Sequence, residues 1–159
     1  MKFAKKGTGI ASINHDEALL PALCYGWIDG QADKVDETYW KMKFTPRRGK
    51  SLWSKRNCDF VAQLIAEGKM QPSGQAQIDA AKADGRWDAA YDSPKNMVVP
   101  EEFLQELAKD PKALEFFESL SKTNKYAIVW SLQTAKRPET KLKRTQKFID
   151  MLKKGEKMY

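Results

Sequence analysis

Apolar and polar positions recur with two different periods along this chain, and the change of period divides it. Trp40, Met42 and Phe44 alternate with Tyr39, Lys41, Lys43 and Thr45, which predicts a half-buried strand over Thr38–Thr45. An earlier run beginning at Trp27-Ile28-Asp29-Gly30-Gln31 reads as a second strand, and the polar link Asp33–Glu37 is short enough for an antiparallel hairpin. Lys2–Ile13, punctuated by Gly7 and Gly9, reads as an edge strand with a turn, so a sheet of about three strands is expected. Asn14, with Glu17 three residues on, has capping-box spacing. It opens a short helix over Asp16–Tyr25 with Leu19, Leu20 and Leu23 inward, and Gly26 holds the usual stop position.

Beyond residue 50 the period becomes helical. Trp53, Asn57, Phe60, Val61, Leu64 and Ile65 recur on one face, predicting a helix over Ser51–Ala66 that Gly68 ends. Pro72-Ser73-Gly74 introduces another over Gln75–Ala83, and Arg86–Tyr91 is a turn or short helix. Pro100-Glu101-Glu102 and Asp110-Pro111 open two more, Thr123 caps a third running to Gln133, and Pro138-Glu139-Thr140 opens the last. That last helix should turn Leu142, Thr145, Ile149 and Leu152 inward, with Gly155 as its stop. The expected fold class is α+β: a small antiparallel sheet from the N-terminal third, then a mostly helical C-terminal region packed on it. A single domain is expected over residues 1–159, with 1–50 forming the sheet and one short helix and 51–159 forming the helical part.

Composition narrows the class. A hydrophobic fraction of 42% is that of a packed globule. No apolar run approaches the ~20 residues that span a bilayer, and the basic N-terminus lacks the apolar stretch of a secretory signal. No membrane insertion and a cytoplasmic location are therefore expected. Cys24 and Cys58 each lie in apolar surroundings and read as buried thiols. The single histidine, His15, cannot complete a common zinc site with two distant cysteines, so no metal is expected, and no cofactor motif is present. His15 falls in the first turn of its helix with no orienting partner visible in the sequence.

Charge changes the picture most. Between Lys41 and Asn57 stand seven cations and no acid, and residues 136–157 hold nine cations against three acids. Two basic faces follow, suited to an anionic ligand, an acidic protein or nucleic acid. A helix starting at Ser51 would aim its unpaired N–H groups at an anion beside Arg47 and Arg48. The candidate anion-binding residues are Arg47, Arg48, Lys50, Ser51, Trp53, Lys55 and Arg56. Trp53 also fits the core stripe, and Lys55 and Arg56 near a helix start are unfavourably placed unless an anion sits there. The acids Asp29, Asp84, Asp88 and Glu139 form no recognisable catalytic pair, and Ser51 and Ser54 lack a partner base, so no catalytic residue is assigned.

Residues 22–30 (Ala22-Leu23-Cys24-Tyr25-Gly26-Trp27-Ile28-Asp29-Gly30), Phe44–Arg48 and Ser51–Lys55 resemble the YdeI/OmpD-associated family, whose members are often labelled bacteriocin-protection proteins. Ala80–Tyr91, and the ending from Val99-Pro100-Glu101 through Ala135–Thr140 to Met151-Leu152, are similar to further blocks of that family in the same order. The resemblance covers nearly the whole chain and brings no reaction or catalytic residue with it. Family members usually carry more chain before the Lys5-Lys6-Gly7 segment, which implies a missing helix and part of a strand. Lys141 and Lys143 stand where the family tends to have arginine, which implies no bidentate contact there. The function expected is a non-enzymatic cytoplasmic binding protein with a basic anion-binding surface around 46–57. The alternative is nucleic-acid binding through 41–57 and 136–157.

Overall fold

The computed structural model describes all of residues 1–159, as three strands and seven helices. Strands β1 (Lys2–Ala4), β2 (Trp27–Lys34) and β3 (Tyr39–Pro46) form one antiparallel sheet in the order β1-β3-β2. Helices α1 (His15–Cys24), α2 (Lys55–Ala66) and α3 (Pro72–Ala83) complete a first compact unit, Met1–Ala90. Helices α4 (Glu101–Leu107), α5 (Pro111–Ser119), α6 (Lys122–Gln133) and α7 (Pro138–Lys153) make the second, Tyr91–Tyr159. The α+β class is as the sequence predicts.

In the first unit, the face of β3 that carries Trp40 and Phe44 turns toward α1. Trp40 stacks on Phe3 of β1 at 4.6 Å, and His15 of α1 sits 6.5 Å from the rings of both Trp40 and Phe44. The core behind them joins Leu19 and Leu23 of α1, Val61 and Leu64 of α2, Ile78 and Ala81 of α3, and Trp53. The second unit has its own core, built from Phe103 and Leu107, Phe117, Ile128 and Leu132, and Phe148, Ile149 and Leu152. Phe103 and Phe117 meet edge to face at 5.6 Å, the arrangement the ring quadrupoles favour.

Four elements besides α2 differ from the sequence reading. The first strand is only three residues, because Gly7 and Gly9 take φ +84° and +71° and turn the chain off the ladder. Helix α3 begins at Pro72, so Gly74 lies inside its first turn. Helix α6 is capped by Ser121, whose Oγ accepts from the Asn124 N–H, and not by Thr123. Leu142 is 70% exposed: the buried stripe of α7 is Phe148, Ile149 and Leu152, and it does not extend to the first turns.

Candidate anion surface and the histidine relay

The stretch 46–57 is held mainly by its carbonyls. Arg47 is 5% exposed and donates from Nη1 to the Leu52 carbonyl at 3.0 Å, and its guanidinium lies 3.5 Å from the Trp53 ring. Arg86, equally buried, donates from Nη1 to the Ser51 carbonyl at 3.1 Å and from Nε to Asp84. A helix starting at Ser51 would need those two carbonyls to accept from Lys55 and Arg56 N–H groups. Both carbonyls instead accept from guanidiniums, and Ser54 is extended at φ −97° and ψ 148°, so the helix starts after it. Ser54 is the N-cap, its Oγ accepting from the Asn57 N–H, and α2 begins at Lys55. The expected start at Ser51 is thereby corrected. Ser51 instead closes a turn with Arg48: its N–H donates to the Arg48 carbonyl at 2.8 Å and its Oγ accepts from the Arg48 N–H at 2.9 Å.

The seven candidate residues thus separate. Arg47 and Trp53 are core, with Trp53 2% exposed and 5.0 Å from Trp87. Arg48 and Lys50 stand exposed on the turn that Ser51 closes, and Lys55 is exposed at the first position of α2. Arg56 answers the question its position raises. The anion beside this cation at a helix start is Asp16 of α1, whose two oxygens accept from Arg56 Nη2 at 2.5 and 2.6 Å.

Asp16 belongs to a longer relay. His15 places Nδ1 3.1 Å from Asp16 and Nε2 3.0 Å from Asp29 of β2. Asn14 fixes both α1 residues, since its side chain accepts from the Asp16 and Glu17 N–H groups while Glu17 accepts from the Asn14 N–H. Partial burial pushes the Asp16 carboxyl up. The hydrogen bonds and charges of His15 and Arg56 outweigh that and hold it below its ordinary value. Both imidazole nitrogens thus lie within hydrogen-bond distance of a carboxylate, which fixes the ring between α1 and β2. A cleft of about 530 Å³ opens beside it, lined by Ile13, His15, Asp16, Leu20 and Trp40 among others. Sequence reasoning missed this relay. Its one signal was Asp29, which pairs in register with Phe44 and so shares the apolar face of the sheet.

In the second unit the basic segment 136–157 is partly neutralised. Lys141 pairs with Glu102 at 2.5 Å, Lys153 with Asp110 at 3.7 Å, and Arg144 donates to the Ser131 carbonyl. Lys143, Lys147 and Lys154 are exposed along one side of α7 and its end.

Two family models match this chain. Residues 96–155 match the family described as Bacteriocin-protection, YdeI or OmpD-Associated. Residues 1–77 match a domain of unknown function, DUF8412. The resemblance read from the sequence therefore holds over 96–155, while the blocks within 22–55 fall under the other model. No curated protein and no solved structure matches the chain significantly.

Proposed function

Residues 96–155 are a YdeI/OmpD-associated domain, and from that premise we propose that the chain is a non-enzymatic binding protein of the cytoplasm that recognises an anionic group at the Arg48–Lys50 turn. The observation that carries this is the division of labour within 46–57: Arg47 and Arg56 are fixed internally, whereas Arg48 and Lys50 face solvent on a turn closed by Ser51. Two cations on a braced turn make charge-assisted hydrogen bonds at less entropic cost than two on a free loop. Cys24 and Cys58 are free thiols, and burial pushes the Cys58 thiol up to about 11.

The test is a titration with inorganic phosphate and pyrophosphate followed by tryptophan fluorescence, in the wild type and in Arg48→Ala/Lys50→Ala. Saturable binding that weakens at least ~10-fold in the double variant is expected, with the far-ultraviolet circular dichroism unchanged. Equal affinity in both proteins refutes the proposal. Arg47→Ala is unsuited to this test, since it removes a stacked core group along with its charge.

A further inference from the structure

Strand β3 leads straight into the Arg48–Lys50 turn, and the face it turns away from α1 is basic. Directly paired residues of an antiparallel ladder share a face. The register sets Lys2 opposite Lys41 and Ala4 opposite Tyr39, while further along the strand Ile28, opposite Thr45, is half-buried against the core. Lys41 and Lys43, two apart on β3, therefore share that face with Lys2, and all three lysines are exposed. Like charges set directly opposite destabilise a sheet. The acid on this face, Asp33, lies 3.8 Å from Lys41 and offsets one of the three charges. Lys2 rests on the Tyr39 ring, 3.7 Å from its centroid. The sheet so keeps a cationic ribbon whose mutual repulsion is only partly offset.

From these juxtapositions we infer that the outer face of the sheet, from Lys2 through Lys41 and Lys43 to Arg48 and Lys50, binds single-stranded nucleic acid. The inference rests on the anion-binding reading of the turn and extends it from one anionic group to a run of them. Alternate residues of a strand repeat at about 6.8 Å, which suits the step between successive phosphates of an extended strand. Three strands make a ribbon about 10 Å across, a seat for one strand and not for a duplex. Tyr39 supplies a ring on which a base can stack once the Lys2 ammonium shifts from it to a phosphate. A free phosphate needs only the turn. An acidic protein segment would meet the same charges but has no regular spacing and no base for Tyr39.

The experiment is fluorescence anisotropy with labelled dT oligonucleotides of increasing length, each at several salt concentrations. Affinity should rise with length until the ribbon is filled. The logarithm of the binding constant should then fall against that of salt with a slope of about −3.5, from about −0.7 per phosphate for the five cations. Lys41→Ala/Lys43→Ala should reduce the slope by about 1.4 and leave inorganic phosphate binding at the turn unchanged. A slope that this variant does not alter, or affinity no greater for an oligonucleotide than for a mononucleotide, overturns the inference and leaves the turn standing. Equal binding of a duplex, or of polyglutamate of matched charge, overturns the single-strand assignment. Should inorganic phosphate fail to bind, the reading of the turn falls. The ribbon then falls with it if Arg48→Ala/Lys50→Ala also leaves the oligonucleotide slope unchanged.

Discussion

Arg56 and Asp16 lie 40 residues apart in sequence and meet with two hydrogen bonds. Both side chains are more than two-fifths exposed, so the pair is worth about 0.2–1 kcal/mol at most. Its sign in pH follows from the depressed Asp16 carboxyl. A carboxylate held below its unfolded value stabilises the protein above about pH 4, and that contribution is lost as pH falls through the lower folded value. Arg56→Ala should accordingly lower stability near neutral pH and flatten the acid limb between about pH 5 and 3. Urea unfolding across that range checks it, and a variant whose stability runs parallel to wild type at every pH counts against the pair. At this scale the sequence showed the problem and hid the solution. A cation at a helix start is visible in one dimension, but its partner sits on another helix. The same holds for Arg47 and Arg86, whose bonds to the Leu52 and Ser51 carbonyls replace the expected helical turn there.

Helix boundaries set by local chemistry were legible at α1, though not at the Ser121 cap of α6, and those set by packing were not. The Asn14–Glu17 capping box and the Gly26 stop appear where the sequence puts them, with Gly26 at φ +78°. Gly74 reads as turn punctuation, yet it is a helical residue whose smallness lets α3 meet the end of α1. A Cβ there would lie 2.1 Å from the Cys24 carbonyl oxygen and 2.7 Å from the Met70 methyl. The same carbonyl accepts from the Gln71 N–H, and the Tyr25 carbonyl accepts from Ser73 Oγ, so this contact is backbone against helix terminus with little room to give. Gly74→Ala should lose about 3 kcal/mol, at the upper end for overpacking, despite the better helix propensity of alanine. Gly49→Ala, with nothing within 4 Å, is the control and should change stability by less than about 0.5 kcal/mol. Equal denaturation midpoints for the two variants would mean that α1 and α3 are not in contact as described.

For the whole molecule the question is how many cooperative units these elements make. Periodicity reports which face of a helix is apolar, not which helices share a core, and from it a single domain over 1–159 is the natural expectation. The two buried clusters are drawn from separate stretches of chain: Leu19 to Ala81 in one, Phe103 to Leu152 in the other. The matches to known families divide similarly, at 1–77 and 96–155. No Gly/Ser-rich linker marks the change near residue 90, which is why composition gives no sign of it. Each cluster unites three or four helices, enough apolar burial for a small domain to fold alone. Fragments 1–90 and 91–159, produced separately, should each unfold in a single sigmoidal thermal transition and show dispersed amide resonances. Ser54→Ala should then lower the midpoint of the first fragment alone, by the ~1 kcal/mol of a lost N-cap. A fragment that binds a hydrophobic dye and melts without a transition would show that its core needs the rest of the chain, and that residues 1–159 fold as one domain.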